Sequence, residues 1–233
     1  MKQKLLLSIA LLCMVAQGAW SQRVVDLSTI SSDYVAQDGD VLTGKLDVDH
    51  NPVKISIAKG AKITLRDVTI LGIDESVYTS SGNYIPCPFA GITCEGDATI
   101  TLEGTNQVKG FCRGWPGICV YEGYTLTIQG DGSLDVSCNQ IGAGIGGQER
   151  MPCGDINIKS GTITAMGEYS GAGIGGCEAN GGTITIEGGT IEAKGGTYAA
   201  GIGGGRHGTG GNIFIYGGDI TAYGGEYGAG IGG

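Results

Sequence analysis

Ala172-Gly173-Ile174-Gly175-Gly176 is one copy of a short motif that returns along the whole chain and decides its fold. Complete copies begin at Ala143, Ala172, Ala200 and Ala229, and shortened copies begin at Ala90 and Pro116. From Ile92 to Ile231 the central isoleucines follow one another at steps of 26, 27, 29, 28 and 29 residues. A nearly constant period in this range indicates a repeat architecture, in which each unit buries its apolar face only by stacking on the next.

Each repeat also carries an apolar–polar–apolar triplet, the alternation of a strand with one buried side. The triplets are Ile63-Thr64-Leu65, Ile100-Thr101-Leu102, Leu126-Thr127-Ile128, Ile156-Asn157-Ile158, Ile184-Thr185-Ile186 and Ile213-Phe214-Ile215. A second strand such as Thr190–Ala193 follows, and the glycine motif forms a third, very short strand. Its glycines are expected to supply positive φ at the corners and close approach of the backbone. Three strands per unit predict an all-β fold, a single-stranded right-handed parallel β-helix of about 29 residues per coil, because parallel crossovers are right-handed.

The overall composition limits the classes of partner. Glycine accounts for 47 of the 233 residues, but proline for only 5, and no Gly-X-Y period occurs, which excludes collagen. The net charge of −9 at pH 7 argues against nucleic acid and against an anionic membrane surface. It suits a soluble protein that meets neutral sugars or cations.

Residues 1–21 have the pattern of a signal peptide. A basic start is followed by the apolar run Leu5–Ala16 and by the small residues Ala19 and Ser21. The apolar run is too short to span a bilayer, so no membrane insertion is expected. The pattern predicts export to the cell surface, the extracellular space or the periplasm.

The remaining chain is expected to divide into a cap and a stack of coils. Residues 22–50 lack the glycine motif and are predicted to form an N-terminal cap over the first edge of the solenoid. Residues 51–233 are predicted to form the coils, with a loop inserted at 72–88. The last residues, Ala229–Gly233, lie inside the repeat, so we expect a C-terminal continuation or an end-to-end contact at the last coil.

Several stretches together resemble a known group of proteins. They are Val25-Asp26-Leu27, the run from Tyr34 to Gly44, Gly91-Ile92-Thr93-Cys94, the run from Gly96 to Ile100, and the later Gly-Gly-Thr-Ile repeats. Over roughly residues 24–233 the layout is similar to secreted bacterial right-handed parallel β-helix repeat proteins, and in particular to carbohydrate-binding β-helix domains of the pectate-lyase-like superfold. The resemblance implies the fold strongly and the function weakly, because such coils serve adhesins, carbohydrate binders and enzymes alike.

The candidate ligand-binding residues are aromatic. Tyr169, Tyr198 and Tyr227 recur at steps of 29 residues and are expected to stack as a ladder in successive coils. Such a ladder could form a platform for a polysaccharide, or it could only stiffen one corner of the coil. Trp115 and Tyr121 form a second candidate aromatic patch.

Calcium is the only cofactor for which the sequence offers ligands. Asp38, Asp40, Asp47 and Asp49 could bind one ion in the cap, and the alternative is a solvated acidic loop.

Cysteine positions follow the period of the repeat. Cys94 with Cys119, and Cys112 with Cys138, are therefore candidates for disulfides between coils, and the alternative is a buried stack of reduced thiols.

The residues expected to point outward on the first strands do not suggest catalysis. They are Thr64, Thr101, Thr127, Asn157, Thr185 and Phe214, with no recurring carboxylate or arginine. The leading hypothesis is a secreted or cell-surface, non-catalytic carbohydrate-binding module. A structural stalk or adhesin that binds protein or nothing is the first alternative, and a polysaccharide lyase or hydrolase is the second.

Overall fold

The computed structural model describes residues 22–46, 53–72 and 89–233, and these residues wind into an all-parallel β-solenoid. The predicted parallel β-helix is therefore confirmed, with about 28 residues per turn. A single 3-10 turn, Leu27–Thr29, is the helical element of the described chain. The early strands are β1 (Val24–Asp26), β2 (Tyr34–Ala36), β3 (Val41–Lys45), β4 (Ile55–Ile57) and β5 (Lys62–Ile70).

Later coils each contribute one strand to each of three faces. The first face contains β7 (Ala98–Glu103), β10 (Thr125–Gly130), β13 (Asp155–Ile158), β16 (Thr183–Ile186) and β19 (Asn212–Ile215). The second face contains β8 (Thr105–Arg113), β11 (Ser133–Asn139), β14 (Thr162–Met166), β17 (Thr190–Lys194) and β20 (Asp219–Tyr223). The third face continues β2 and β4 with β6 (Ile92–Cys94), β9 (Ile118–Cys119), β12 (Ile145–Gly146), β15 (Ile174–Gly175), β18 (Ile202–Gly203) and β21 (Ile231–Gly232).

The glycine motif forms the third face, as expected. Its isoleucines pair in exact order from Ile118 to Ile231, and all but the last are fully buried in the core. In the complete copies the glycine after the isoleucine has a positive φ, 134° at Gly175, where a Cβ would also collide with the carbonyl oxygen of Gly203 in the next coil. Glycine therefore allows the coils with complete copies to approach closely at this face.

The register of the first face differs from the alignment of the triplets. Thr127 pairs with Thr99, and Ile128 with Ile100, so the Thr101 triplet is displaced by two residues from the Thr127 triplet. The first outward row is Lys62, Thr99, Thr127, Asn157, Thr185 and Phe214. Thr64 and Thr101 belong to a neighbouring row with Gln129. Alternation continues unbroken from Ala98 to Leu102, so it permits either alignment, and the coil-to-coil pairing selects one.

The described part of the predicted cap, residues 22–46, is already wound into the ladder. β2 pairs in parallel with β4, β3 pairs with β5, and β1 lies on the edge of β3. The segment therefore covers the first edge by adding strands of its own. Residues 1–21, 47–52 and 73–88 lie outside the described residues, and with them the predicted signal peptide, the end of the predicted cap and nearly all of the predicted inserted loop.

The first and second faces join through β5 into one 13-stranded sheet. Residues Lys62–Arg66 of β5 pair with β7 on the first face, and Thr69 and Ile70 pair with β8 on the second. The fully buried Asn106 secures the corner between these faces, because its Oδ1 accepts from the N–H of Val68 and its Nδ2 donates to the carbonyls of Glu103 and Ser133. All of its hydrogen-bonding capacity towards neighbouring coils is satisfied.

Candidate functional site

The three repeat tyrosines meet as predicted in one ladder at the corner before the third face. The ring centroids of Tyr169 and Tyr198 are 5.2 Å apart, and those of Tyr198 and Tyr227 are also 5.2 Å apart. Tyr198 and Tyr227 are stacked at 12°, whereas Tyr169 meets Tyr198 edge-on at 76°. Tyr169 is 46% exposed and Tyr227 is 67% exposed, so the ladder faces solvent.

The edge-on arrangement of Tyr169 and Tyr198 follows from the position of each tyrosine relative to the strand before it. The pairing of β14, β17 and β20 places Met166, Lys194 and Tyr223 in one row. Tyr169 follows that row by three residues, but Tyr198 and Tyr227 follow it by four. Tyr169 accordingly takes a left-handed backbone (φ 47°), and its ring turns relative to the other two.

A row of charges lies beside the ladder, at the corner that follows the third face. The guanidinium of Arg206 lies 4.8 Å from the centroid of the Tyr198 ring, within the range of a cation–π contact. Glu178 accepts hydrogen bonds from Arg150 (3.1 Å) and Ser170 (3.1 Å). The hydrogen bond from Arg150 lowers the pKa of Glu178 and keeps it ionised.

An open groove of about 700 Å³ adjoins the ladder and crosses four successive corners. Tyr169 lines it, and its charged lining residues are Glu168, Lys194 and Glu226. A hydrogen bond to Glu226 raises the pKa of Tyr227, so this phenol stays a neutral hydrogen-bond donor at ordinary pH. The groove therefore combines aromatic surface with both acceptors and donors, in the size range of small-molecule sites.

The second candidate patch is not brought to this ladder. Trp115 precedes β9 and lies, half-buried, at the corresponding corner of an earlier coil. Tyr121 lies beyond β9, at the opposite corner, with its ring 6.5 Å from that of Tyr124. Its hydroxyl donates to the thiol of Cys119, and burial raises its pKa. Trp115 and Tyr121 therefore stand on either side of the third strand along the chain.

The structure describes two of the four carboxylates considered for calcium, and both already have partners. Asp40 is buried and accepts from Arg23 Nε (2.8 Å), Tyr34 Oη (2.7 Å) and the N–H of Gln37 (2.8 Å). Asp38 accepts from the N–H of Lys62 at 2.8 Å. Asp47 and Asp49 lie outside the described residues, and within the described ranges no group of three or more His, Cys, Asp or Glu side chains is arranged to hold a metal ion.

Sequence reasoning missed a role that Asp38 shares with Asp97 and Asp155. The Oδ1 atom of each accepts from a backbone N–H of a neighbouring coil, at 2.8 Å for Asp97 with Thr125 and 3.0 Å for Asp155 with Thr183. Asn180 accepts from the N–H of Thr209 in the same way at 3.0 Å. The signal that could have revealed this role is an Asp or Asn about one coil before the first residue of a strand.

Neither predicted disulfide is present in the structure. Cys94, Cys112, Cys119 and Cys138 are all free thiols. The register explains the first pair, because Cys119 lies opposite Thr93, and Cys94, one residue further, points to the other side of the strand. Cys138 lies opposite the irregular segment between Lys109 and Arg113, where the ladder shifts. Burial raises the pKa of both Cys119 and Cys138 to about 12.

The comparisons with known proteins bear on the fold. The beta helix repeat family model matches residues 156–177, 184–206 and 215–233, and each matched segment contains one tyrosine of the ladder. The pectate-lyase-like superfold is of the same general β-helix kind. No curated protein and no solved structure matches the chain.

Within the described residues, no helix has the length and apolar character needed to cross a bilayer.

Proposed function

We propose that the chain is a non-catalytic carbohydrate-binding module, exported to the cell surface or beyond, that holds a polysaccharide at the tyrosine ladder and its groove. The observation that carries the proposal is the exposed ladder of Tyr169, Tyr198 and Tyr227 at 5.2 Å spacing beside an open groove of about 700 Å³. The signal-peptide pattern of residues 1–21 supports the export.

The ladder suits a ligand chain that runs along the solenoid axis. One aromatic side chain recurs per coil, and the spacing of the rings is comparable to the length of one sugar ring in an extended polysaccharide. Because Tyr198 and Tyr227 cover part of each other, the surfaces left open are the phenol edges and the outer face of Tyr227. Sugars would meet hydroxyl groups along the row and an apolar ring face at its end.

The charges of the groove favour a neutral sugar chain over an anionic one. Two carboxylates, Glu168 and Glu226, line it with a single ammonium, Lys194. Carboxylate oxygens accept hydrogen bonds from sugar hydroxyls but repel uronate or sulfate groups. The net charge of −9 on the whole chain likewise repels anionic sugar chains.

A structural stalk or adhesin is the second candidate, and one observation favours it. Tyr198 already has partners, Tyr227 stacked against it and the Arg206 guanidinium 4.8 Å from its centroid. A ladder whose tyrosines contact one another and Arg206 would stiffen the corner without any ligand.

The two candidates are separated by a glycan array, run with calcium and with a chelator, on the full chain and on a Tyr169→Ala/Tyr198→Ala/Tyr227→Ala variant. We expect the variant to lose at least a factor of ten in affinity for neutral polysaccharides, because each aromatic contact contributes about 1 kcal/mol. Tyr216→Ala, an exposed tyrosine (74%) on the first face, is the matched control and should bind as the parent does. Equal binding by the triple variant and the parent, or no binding by either folded protein, would favour the stalk.

A further inference from the structure

Two buried thiols, those of Cys119 and Cys153, lie near enough beside the third face to interact electrostatically. Cys119 pairs with Gly146 in the parallel ladder between β9 and β12. The sulfur of Cys153 lies 3.1 Å from the position that a Cβ of Gly146 would take, so it lies against the residue that pairs with Cys119.

The backbone holds Cys153 in this place. Cys153 forms a bridge with Tyr121, two residues beyond Cys119. The next residue, Gly154, donates its N–H to the carbonyl of Val120 at 3.0 Å, and the N–H of Cys153 donates to the carbonyl of Asn180 at 3.1 Å. Cys153 and Gly154 are thus attached to the coils on both sides, which fixes Cys153 beside the segment that follows Cys119.

We propose that Cys119 and Cys153 are a redox pair that closes to a disulfide between coils in an oxidising environment. Cys94, the partner suggested by the period alone, is unsuited because it points to the opposite side of its strand from Thr93, the register partner of Cys119. Disulfide formation requires the Cβ atoms of the two residues to lie at short range. Tyr121 pairs directly with Cys153 and, two residues beyond Cys119, directs its side chain to the same side of the extended chain as Cys119, so Cys153 lies on the side that Cys119 faces.

The oxidant is a small-molecule disulfide such as oxidised glutathione. The thiolate of one cysteine attacks it, forms a mixed disulfide and releases one glutathione thiolate. The thiolate of the second cysteine then attacks the protein sulfur and releases the other. The protein loses two protons and two electrons, and the oxidant is reduced to two thiols.

The same burial controls when the bond closes. Cys119 is fully buried and Cys153 almost so, and burial raises the pKa of both thiols, that of Cys119 to about 12. Few thiolates exist in the native state, so we expect closure while the chain folds or when the corner opens.

The test uses the full chain, purified folded in reductant. It is then incubated with oxidised glutathione in urea just below the unfolding midpoint, and its linkages are mapped by mass spectrometry of a non-reducing digest. The expected result is a peptide linking Cys119 to Cys153, and a midpoint of thermal unfolding that rises by several degrees and falls again on reduction. Free thiols at both positions, or a link from either one to another cysteine, would overturn the proposal.

Two serine variants make the assignment specific. Cys153→Ser should abolish the linked peptide and the shift in the unfolding midpoint, while Cys94→Ser should retain both. A shift in the unfolding midpoint that persists in Cys153→Ser, or that disappears in Cys94→Ser, would contradict the pair.

Discussion

Gly146, Gly175 and Gly203 share one backbone conformation, with φ of 147°, 134° and 132°. At each of them a Cβ would also collide with the carbonyl oxygen of the equivalent glycine in the next coil. The sequence allowed the prediction that these glycines supply positive φ and close approach, since the motif recurs unchanged. The side-chain geometry at single positions was less predictable. Tyr169 comes one residue early in its corner, and this offset is hidden by the equal steps of 29 between the tyrosines.

Gly175→Ala should destabilise the protein strongly, because it adds a steric collision with Gly203 to the strain of a positive φ. We expect a loss of roughly 3 kcal/mol or more in the free energy of unfolding, measured by urea denaturation. Gly123→Ala is the control, with a positive φ of 84° but nothing within 4 Å of its Cβ, and should lose only about 1–2 kcal/mol. Equal losses would mean that close approach of the coils contributes nothing.

At the scale of the strand, apolar alternation predicted that strands exist and which side of each is buried. It could not fix the alignment of β7 with β10, because the run Ala98–Leu102 alternates over five residues and fits in two ways. The interval from Thr99 to Thr127 is 28 residues and from Thr101 to Thr127 only 26, so the more regular spacing marks the true pairs. The carboxylates that accept from the start of a strand in the next coil were missed, because the two partners are separated by a whole coil.

Asp155→Ala should weaken the junction between β13 and β16, since the N–H of Thr183 loses its acceptor. We expect a loss of about 1 kcal/mol in the free energy of unfolding, from a urea titration. Asp155→Asn should stay near the parent, because Asn180 shows that an amide oxygen serves equally well. Asp131→Ala, at an exposed turn before β11, is the neutral control, and a loss as large as that of Asp155→Ala would remove the special role of Asp155.

At the scale of the whole molecule, each coil pairs only with the coils before and after it. The sequence predicted this stacking from its period, but it could not show how the first edge is covered. Residues 22–50 are predicted to form a cap, and in their described part, 22–46, β2 pairs with β4 and β3 with β5, so this part belongs to the ladder. Asp40, the most buried carboxylate there, is bound by Arg23, Tyr34 and the N–H of Gln37. Burial would raise its pKa, but these hydrogen bonds lower it overall.

Stability should therefore vary along the stack. Ile174→Ala empties a fully buried site with coils on both sides, and we expect it to lose about 3–4 kcal/mol in the free energy of unfolding. Ile231→Ala changes the same motif position in the last described coil, where the side chain is 47% exposed, and should lose about 1 kcal/mol. Hydrogen exchange of β15 and β18 should accelerate in the first variant only, and equal acceleration in both would mean that the stack unfolds as a single unit.

The strand β5 has a consequence for assembly of the stack. It pairs with β7 through Lys62–Arg66 and with β8 through Thr69 and Ile70, so one uninterrupted segment sets the phase of two faces together. A slip of one residue at either face would turn Ile63, Leu65, Val68 and Ile70 from the core towards water. A coil that pairs with β5 out of register therefore loses buried apolar contacts at both faces together. In this way β5 fixes the register of the first and second faces for the coil that follows it.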